Sequence, residues 1–186
     1  MGKIFVCSDL HLSHDRQFVW GARGFNSIGE MNTTIVERFN SVVSPEDEVY
    51  ILGDLCLGGA DSLETNRAML EQLNGKLHII IGNHDTPTRI AMYQELPNVI
   101  EVVYATMLHY RGYHFYMSHF PTMTANLDED KPLKARIINL CGHSHASDAF
   151  IDFNKGLIYH VEADAHNCYP KDIDNIIEDI KLFGHN

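Results

Sequence analysis

Five apolar runs of this chain each break off into the same kind of residue. Residues 4–8 (IFVCS) lead into Asp9–Leu10–His11, residues 49–52 (VYIL) into Gly53–Asp54, and residues 77–81 (LHIII) into Gly82–Asn83–His84–Asp85. Further on, residues 114–118 (HFYMS) lead into His119, and residues 137–141 (IINLC) into Gly142–His143–Ser144–His145. In open α/β sheets, ligands gather outside the carboxyl ends of the strands. The five polar clusters are therefore expected to face one crevice. That expectation limits the fold to one in which these strand ends lie together.

Amphipathic segments separate the runs. Residues 29–43 place Met31, Ile35, Val36, Phe39, Val42 and Val43 on one helical face, with Pro45 just beyond. Residues 61–73 read as a helix capped by Asp61 and stopped by Asn74–Gly75, and residues 87–95 as a helix opened by Pro87. The second half is richer in strands. Residues 99–110 read as one long strand, joined to residues 113–118 through a turn at Arg111–Gly112. Asn154–Lys155–Gly156 predicts a second hairpin between residues 150–153 and 157–162, and residues 172–182 close the chain as a helix. Strand–helix alternation followed by hairpins predicts an α/β fold with a mixed sheet.

At 186 residues one domain, 1–186, is expected, and 45% apolar residues suffice for a full core. No apolar run approaches the ~18–20 residues a spanning helix needs, so no membrane association is expected. No secretory signal precedes the first strand, which predicts a cytoplasmic protein. Fourteen basic against 25 acidic residues leave a formal charge of −11. That argues against a stable nucleic-acid complex, which needs clustered Lys and Arg. Cys7, Cys56, Cys141 and Cys168 form no CxxC pair, and reduced thiols are expected, Cys7 and Cys141 as small core residues. Histidine is the unusual count, at 12. It binds metal and carries protons near neutral pH.

The polar clusters offer Asp, His and Asn but no cysteine. Nitrogen and oxygen donors suit Mn, Fe, Zn and similar ions rather than a sulfur-lined structural zinc. Asp9, His11, Asp54, Asn83, His119, His143 and His145 are too many for one tetrahedral ion and suit two ions sharing a carboxylate. Two ions ~3.5–4 Å apart clamp the attacking and leaving oxygens of a phosphoryl transfer.

The arrangement D9-L-H11, G53-D54, G82-N83-H84-D85, H119 and G142-H143-S-H145 resembles the calcineurin-like metallophosphoesterase superfamily, and most closely its short single-domain bacterial and phage members. In those, a segment like Arg23–Gly24–Phe25 follows the first motif, and Asp164–Ala165 comes late. The resemblance spans residues 9–145. It implies a four-layer α/β/β/α sandwich of two mainly mixed β-sheets flanked by helices. It further implies that Asp9, His11, Asp54 and His145 hold one metal, and that Asp54 bridges to a second held with Asn83, His119 and His143. His84 would be the non-ligand histidine that protonates the leaving group. The implied activity is in-line attack of a metal-bridging hydroxide on a small phosphate ester, with two divalent or transition metal ions per chain. Manganese is favoured over Fe, Zn, Ni or Mg.

A phosphodiester, including a nucleotide or cyclic nucleotide, is the first expectation for the substrate and a phosphomonoester the second. A nuclease and a non-enzymatic scaffold are the rivals. The acidic charge and the lack of a capping segment disfavour the first, and the intact motifs with His84 disfavour the second. His14 and Arg23 are expected to contact substrate and Asp85 to orient His84, while residues 120–134 are a candidate lid.

Overall fold

The computed structural model describes residues 2–59, 62–122, 131–151 and 157–183. Among the described residues nine strands form two sheets. The first carries β1 (Ile4–Cys7), β2 (Glu48–Leu52), β3 (Lys76–Ile80) and β4 (Val99–Val103) in parallel, in the order β4-β3-β2-β1. A two-residue strand, β9 (Lys171–Asp172), runs antiparallel along β1. The second sheet has β5 (Ala105–Tyr110) antiparallel to β6 (Tyr113–Ser118), then β7 (Ile137–Cys141) and β8 (Ile158–His160) in parallel. Both sheets are mixed and flanked by helices, as expected.

Period-2 alternation divides the apolar residues between two cores. Phe5, Cys7, Val49, Ile51, Leu77 and Ile79 turn one face of the first sheet toward the helices. There they meet Met31, Ile35, Val36 and Phe39 of α2 (Ile28–Val42), Leu70 of α3 (Leu63–Leu70), and Met92 and Tyr93 of α4 (Pro87–Gln94). Val6, Leu52 and Ile80 turn the other way, against Phe115, Met117, Ile138 and Leu140 of the second sheet. The helix α5 (Ile173–Phe183) adds Ile173, Ile176, Ile177 and Ile180 to that core. Each fully buried aliphatic side chain contributes roughly 1.5–3 kcal/mol, which is why both faces of β1–β3 read as continuous apolar runs.

The structure departs from the sequence reading in places. Residues 99–110 are two strands in two different sheets, parted at Tyr104, which is 78% exposed. A short helix, α1 (Gln17–Trp20), follows the first polar cluster. The Arg111–Gly112 turn is as predicted, with φ of 50° and 82° as a two-residue hairpin requires. The Asp61 cap, the Asn154–Lys155–Gly156 turn and most of the 120–134 segment lie outside the described residues. Residues 133–135, at the end of that segment, form one 3-10 turn. No helix among the described residues is long and apolar enough to cross a membrane. All four cysteines are buried and none is held in a disulfide among the described residues.

Candidate metal centre

All five motifs follow the carboxyl ends of β1, β2, β3, β6 and β7, and their side chains converge. Asp9, His11, Asp54 and His119 form a floor, each no more than 1% exposed. Asn83, His84, His143 and His145 form an exposed rim. His11 Nε2 lies 3.5 Å from Asp9 Oδ1 and 3.8 Å from Asp54 Oδ2. His119 Nε2 lies 3.6 Å from the same Asp54 oxygen, and His145 Nε2 lies 3.8 Å from Asp9 Oδ1. Asp54 Oδ2 thus stands between His11 and His119, the buried histidines of the two expected ligand sets.

Close backbone approach explains the glycines in these motifs. A Cβ on Gly142 would run into the Asp9 carboxylate and Ser8, and one on Gly82 into the Asp54 carboxylate. Gly53 has φ +94°, and its Cβ would strike the His119 ring. Backbone strain gathers here too. Asp9, His11, Asp54, His143 and His145 all have φ between 50° and 74°, in the left-handed region. Such conformations cost roughly 1–3 kcal/mol each and persist where the surroundings over-determine them.

Two tests bear on whether a cation fits. Asp9 Oδ1 and His11 Nε2 are buried with no hydrogen-bond partner, a costly state for polar atoms unless something else binds them. In addition, His119 Nδ1 donates to the Leu52 carbonyl at 2.8 Å, so the neutral ring keeps its lone pair on Nε2. That lone pair faces Asn83 Oδ1 at 2.8 Å, and His143 Nδ1 is also 2.8 Å from this oxygen. Converging lone pairs suit a shared cation. Asp9, His11 and His145 form one group of potential ligands, and Asp9, Asp54 and His119 another.

Electrostatics prepare the donors. Burial drives the His11 pKa down despite Asp9 and Asp54, favouring the neutral ring that a metal ligand needs. Burial would raise the Asp9 carboxyl, but His11, the Ser8 hydroxyl and the His143 N–H together hold it below the usual value. His14 is pushed down to about 4, first by burial and then by His11, His84 and Arg16. Its Nδ1 sits 3.2 Å from His11 Nδ1, beside the centre.

His84 stands on the rim. Its backbone N–H donates to Asp54 Oδ1 at 2.8 Å, and its carbonyl accepts from Arg89 at 2.6 Å. The main chain is pinned while the ring, 46% exposed, faces the opening with Nε2 4.0 Å from Asp54 Oδ2.

Two expected roles need correction. Asp85 does not orient the His84 ring. Its Oδ2 accepts from the N–H groups of Asp54 (3.0 Å) and Gly82 (2.8 Å), and its Oδ1 accepts from Tyr93 at 2.8 Å. Burial raises its pKa against those three donors. Arg23 does not face substrate either. Its side chain is 2% exposed and bound to Asp164 and to backbone carbonyls. Asp164 was visible in the sequence only as a late acidic residue without a role. Arg16, next to His14, is the exposed arginine of that loop.

Residues 2–186 match the family described as Calcineurin-like phosphoesterase. The chain is 34% identical over 181 residues to the uncharacterized protein MJ1445 of Methanocaldococcus jannaschii, covering 96% of this chain and 91% of that one. The Gene 66 protein of Mycobacterium phage D29 is 27% identical over 207 residues, covering 97% and 98% of the two chains. Protein AQ665 of Aquifex aeolicus, described as of unknown function, shares the fold. Its TM-score is 0.69 at 16% identity, covering 96% of this chain and 99% of that one.

Proposed function

Because the chain belongs to the calcineurin-like phosphoesterase family, we propose that it hydrolyses a small phosphodiester at a centre of two metal ions, with manganese the favoured metal. Membership implies a metal-dependent phosphoester hydrolase. The observation that carries the two-ion reading is the pair of orphaned buried atoms, Asp9 Oδ1 and His11 Nε2, beside a second set of converging lone pairs at His119 and Asn83. Asp9, His11 and His145 would hold one ion, and Asn83, His119 and His143 the other. Asp54, between His11 and His119, would serve both.

Ions held there supply Lewis acidity to a phosphoryl oxygen and lower the pKa of water. The chain supplies the rest. The buried Asp9 and Asp54 carboxylates offset the cationic charge, and the mixed nitrogen and oxygen donor set suits Mn, Fe, Zn or Ni, with Mg also possible. His84 would give a proton to the departing oxygen, a role supported by its fixed backbone and by its exposed ring beside Asp54.

A cavity on one side of the centre and an exposed aromatic ring on the other support a diester. On the His84 side, Ser13, His14, Arg16, Gly58 and Ser62 line a cavity of about 470 Å³, with the His14 ring 6.4 Å from that of His84. On the other side the exposed Phe120 ring packs 4.7 Å from His143. Two flanks suit a phosphate carrying two ester substituents. The test is hydrolysis of bis-p-nitrophenyl phosphate and p-nitrophenyl phosphate by metal-stripped protein reloaded with Mn, Ni, Zn, Fe or Mg. The diester should have the higher kcat/KM, and the metal-stripped protein should be inactive. A monoester preference of tenfold or more would replace this reading with a phosphomonoesterase.

A further inference from the structure

Arg23 lies fourteen residues past Asp9, and Asp164 lies 141 residues past Arg23. Arg23 Nη2 donates to the Asp9 carbonyl at 2.7 Å and Nη1 to the Leu10 carbonyl at 2.9 Å. Nε and Nη2 grip the Asp164 carboxylate side-on, at 3.0 and 2.8 Å. Such a two-pronged contact fixes direction as well as charge. Asp164 Oδ2 then accepts from His145 Nδ1 at 3.0 Å. With its proton on Nδ1, the His145 ring presents an Nε2 lone pair toward Asp9 Oδ1.

The two ends of this chain of contacts, Asp9 and His145, belong to one group of potential metal ligands. Arg23 holds the backbone turn that carries Asp9, and Asp164 holds the ring of His145. His145 needs such a support because it sits on the rim, its side chain 40% exposed, in a left-handed backbone conformation. The other position has its own supports, since His119 is buried and fixed by the Leu52 carbonyl. Arg23 and Asp164 make their side-chain hydrogen bonds to Asp9, Leu10, Met31, His145 and each other, not to Asn83, His119 or His143.

We propose that Arg23 and Asp164 are a single positioning unit that sets the occupancy of one metal position only, that of Asp9, His11 and His145. The proposal rests on the two-metal reading above. Carboxylates that orient a ligating histidine typically change metal affinity by roughly 10–100-fold when lost. The unit should act with that magnitude on one ion and leave the other unchanged.

The test is Mn titration of metal-free protein by calorimetry, followed by electron paramagnetic resonance, on the wild type and on Asp164→Asn. The wild type should take up two equivalents and give the spectrum of a coupled pair. Asp164→Asn should keep one equivalent at wild-type affinity and bind the second ~10–100-fold more weakly. Below saturation its spectrum should be that of an isolated ion. Should Asp164→Asn not fold, Arg23→Met/Asp164→Leu carries the same expectation, because removing both charges leaves neither buried alone. Equal weakening of both positions, or no change at either, would overturn the proposal while leaving the two-metal reading intact. A wild type that binds a single equivalent would overturn both.

Discussion

Asp85 accepts a hydrogen bond from the backbone N–H of Asp54 at 3.0 Å, joining the third motif to the second. The same oxygen holds the Gly82 N–H, and the other takes the Tyr93 hydroxyl. The last residue of the Gly–Asn–His–Asp sequence is thus a buried clamp that sets the loop carrying Asp54. Its neighbours Asn83 and His84 are left to face the opening.

Asp85→Ala strands the N–H groups of Asp54 and Gly82 in the interior and leaves the Tyr93 hydroxyl only the Cys56 sulfur, at 3.4 Å. Stability of the metal-free protein should fall by about 3 kcal/mol or more, at ~1–3 kcal/mol for each buried group left unpaired. Asp85→Asn, which keeps a carbonyl acceptor, should lose less. Urea unfolding followed by circular dichroism measures both. A loss of turnover with unchanged stability would instead make Asp85 a partner of the His84 ring.

The Asp164–His145 contact predicts a pH dependence in metal-free protein. Burial alone would raise the Asp164 carboxyl, but His145 and Arg23 hold it well below its usual value. Its contribution is therefore present above the unfolded pKa of ~3.9 and lost as pH falls through the folded value. Asp164 raises the His145 pKa against the opposing effect of burial. That contribution is complete below ~6.5 and lost as pH rises through the folded value. The stability deficit of Asp164→Asn should be greatest between these limits. It should shrink on the acid side, and on the alkaline side by the histidine's share alone. Thermal melts from pH 3 to pH 8 would show this, and a flat deficit would refute it.

His84→Ala should leave metal content unchanged and lower turnover by ~10²–10⁴ on phenyl or alkyl esters, the usual worth of a general acid. On p-nitrophenyl esters the loss should be smaller, because nitrophenolate needs little protonation. An equal fall on all leaving groups would assign His84 to electrostatic positioning. Unchanged turnover would remove it from the mechanism.

The −11 charge predicts weak association with long duplex DNA, no tighter than ~10⁻⁴–10⁻⁶ M at physiological salt. A nanomolar complex in a fluorescence anisotropy titration would favour the nuclease reading.

The candidate ligands are legible in the sequence because each follows an apolar run, and three parallel strands of the first sheet with two of the second bring those run ends to one edge. The continuous apolar runs of β1–β3 likewise mark strands buried on both faces. The break at Tyr104 stayed hidden because residues 99–110 contain no glycine or proline, so nothing local punctuates the step from one sheet to the other. The four-residue α1 has no side-chain cap and left no signal. For Arg23 and Asp85 the structure differs from the sequence expectation for a related reason. Both follow a motif of candidate ligands, where a charged side chain reads as part of the site. Their partners, Asp164 and the Asp54 N–H, are distant in the chain and meet them only in the fold.

Metal stoichiometry tests the central claim most directly. Protein dialysed against Mn and analysed for metal should hold two equivalents per chain. Asp54→Asn should lose more metal than Asp9→Asn, since a carboxylate between two ions serves both. A stable plateau at one equivalent in the wild type, or equal retention in the two variants, would contradict a two-ion centre shared through Asp54.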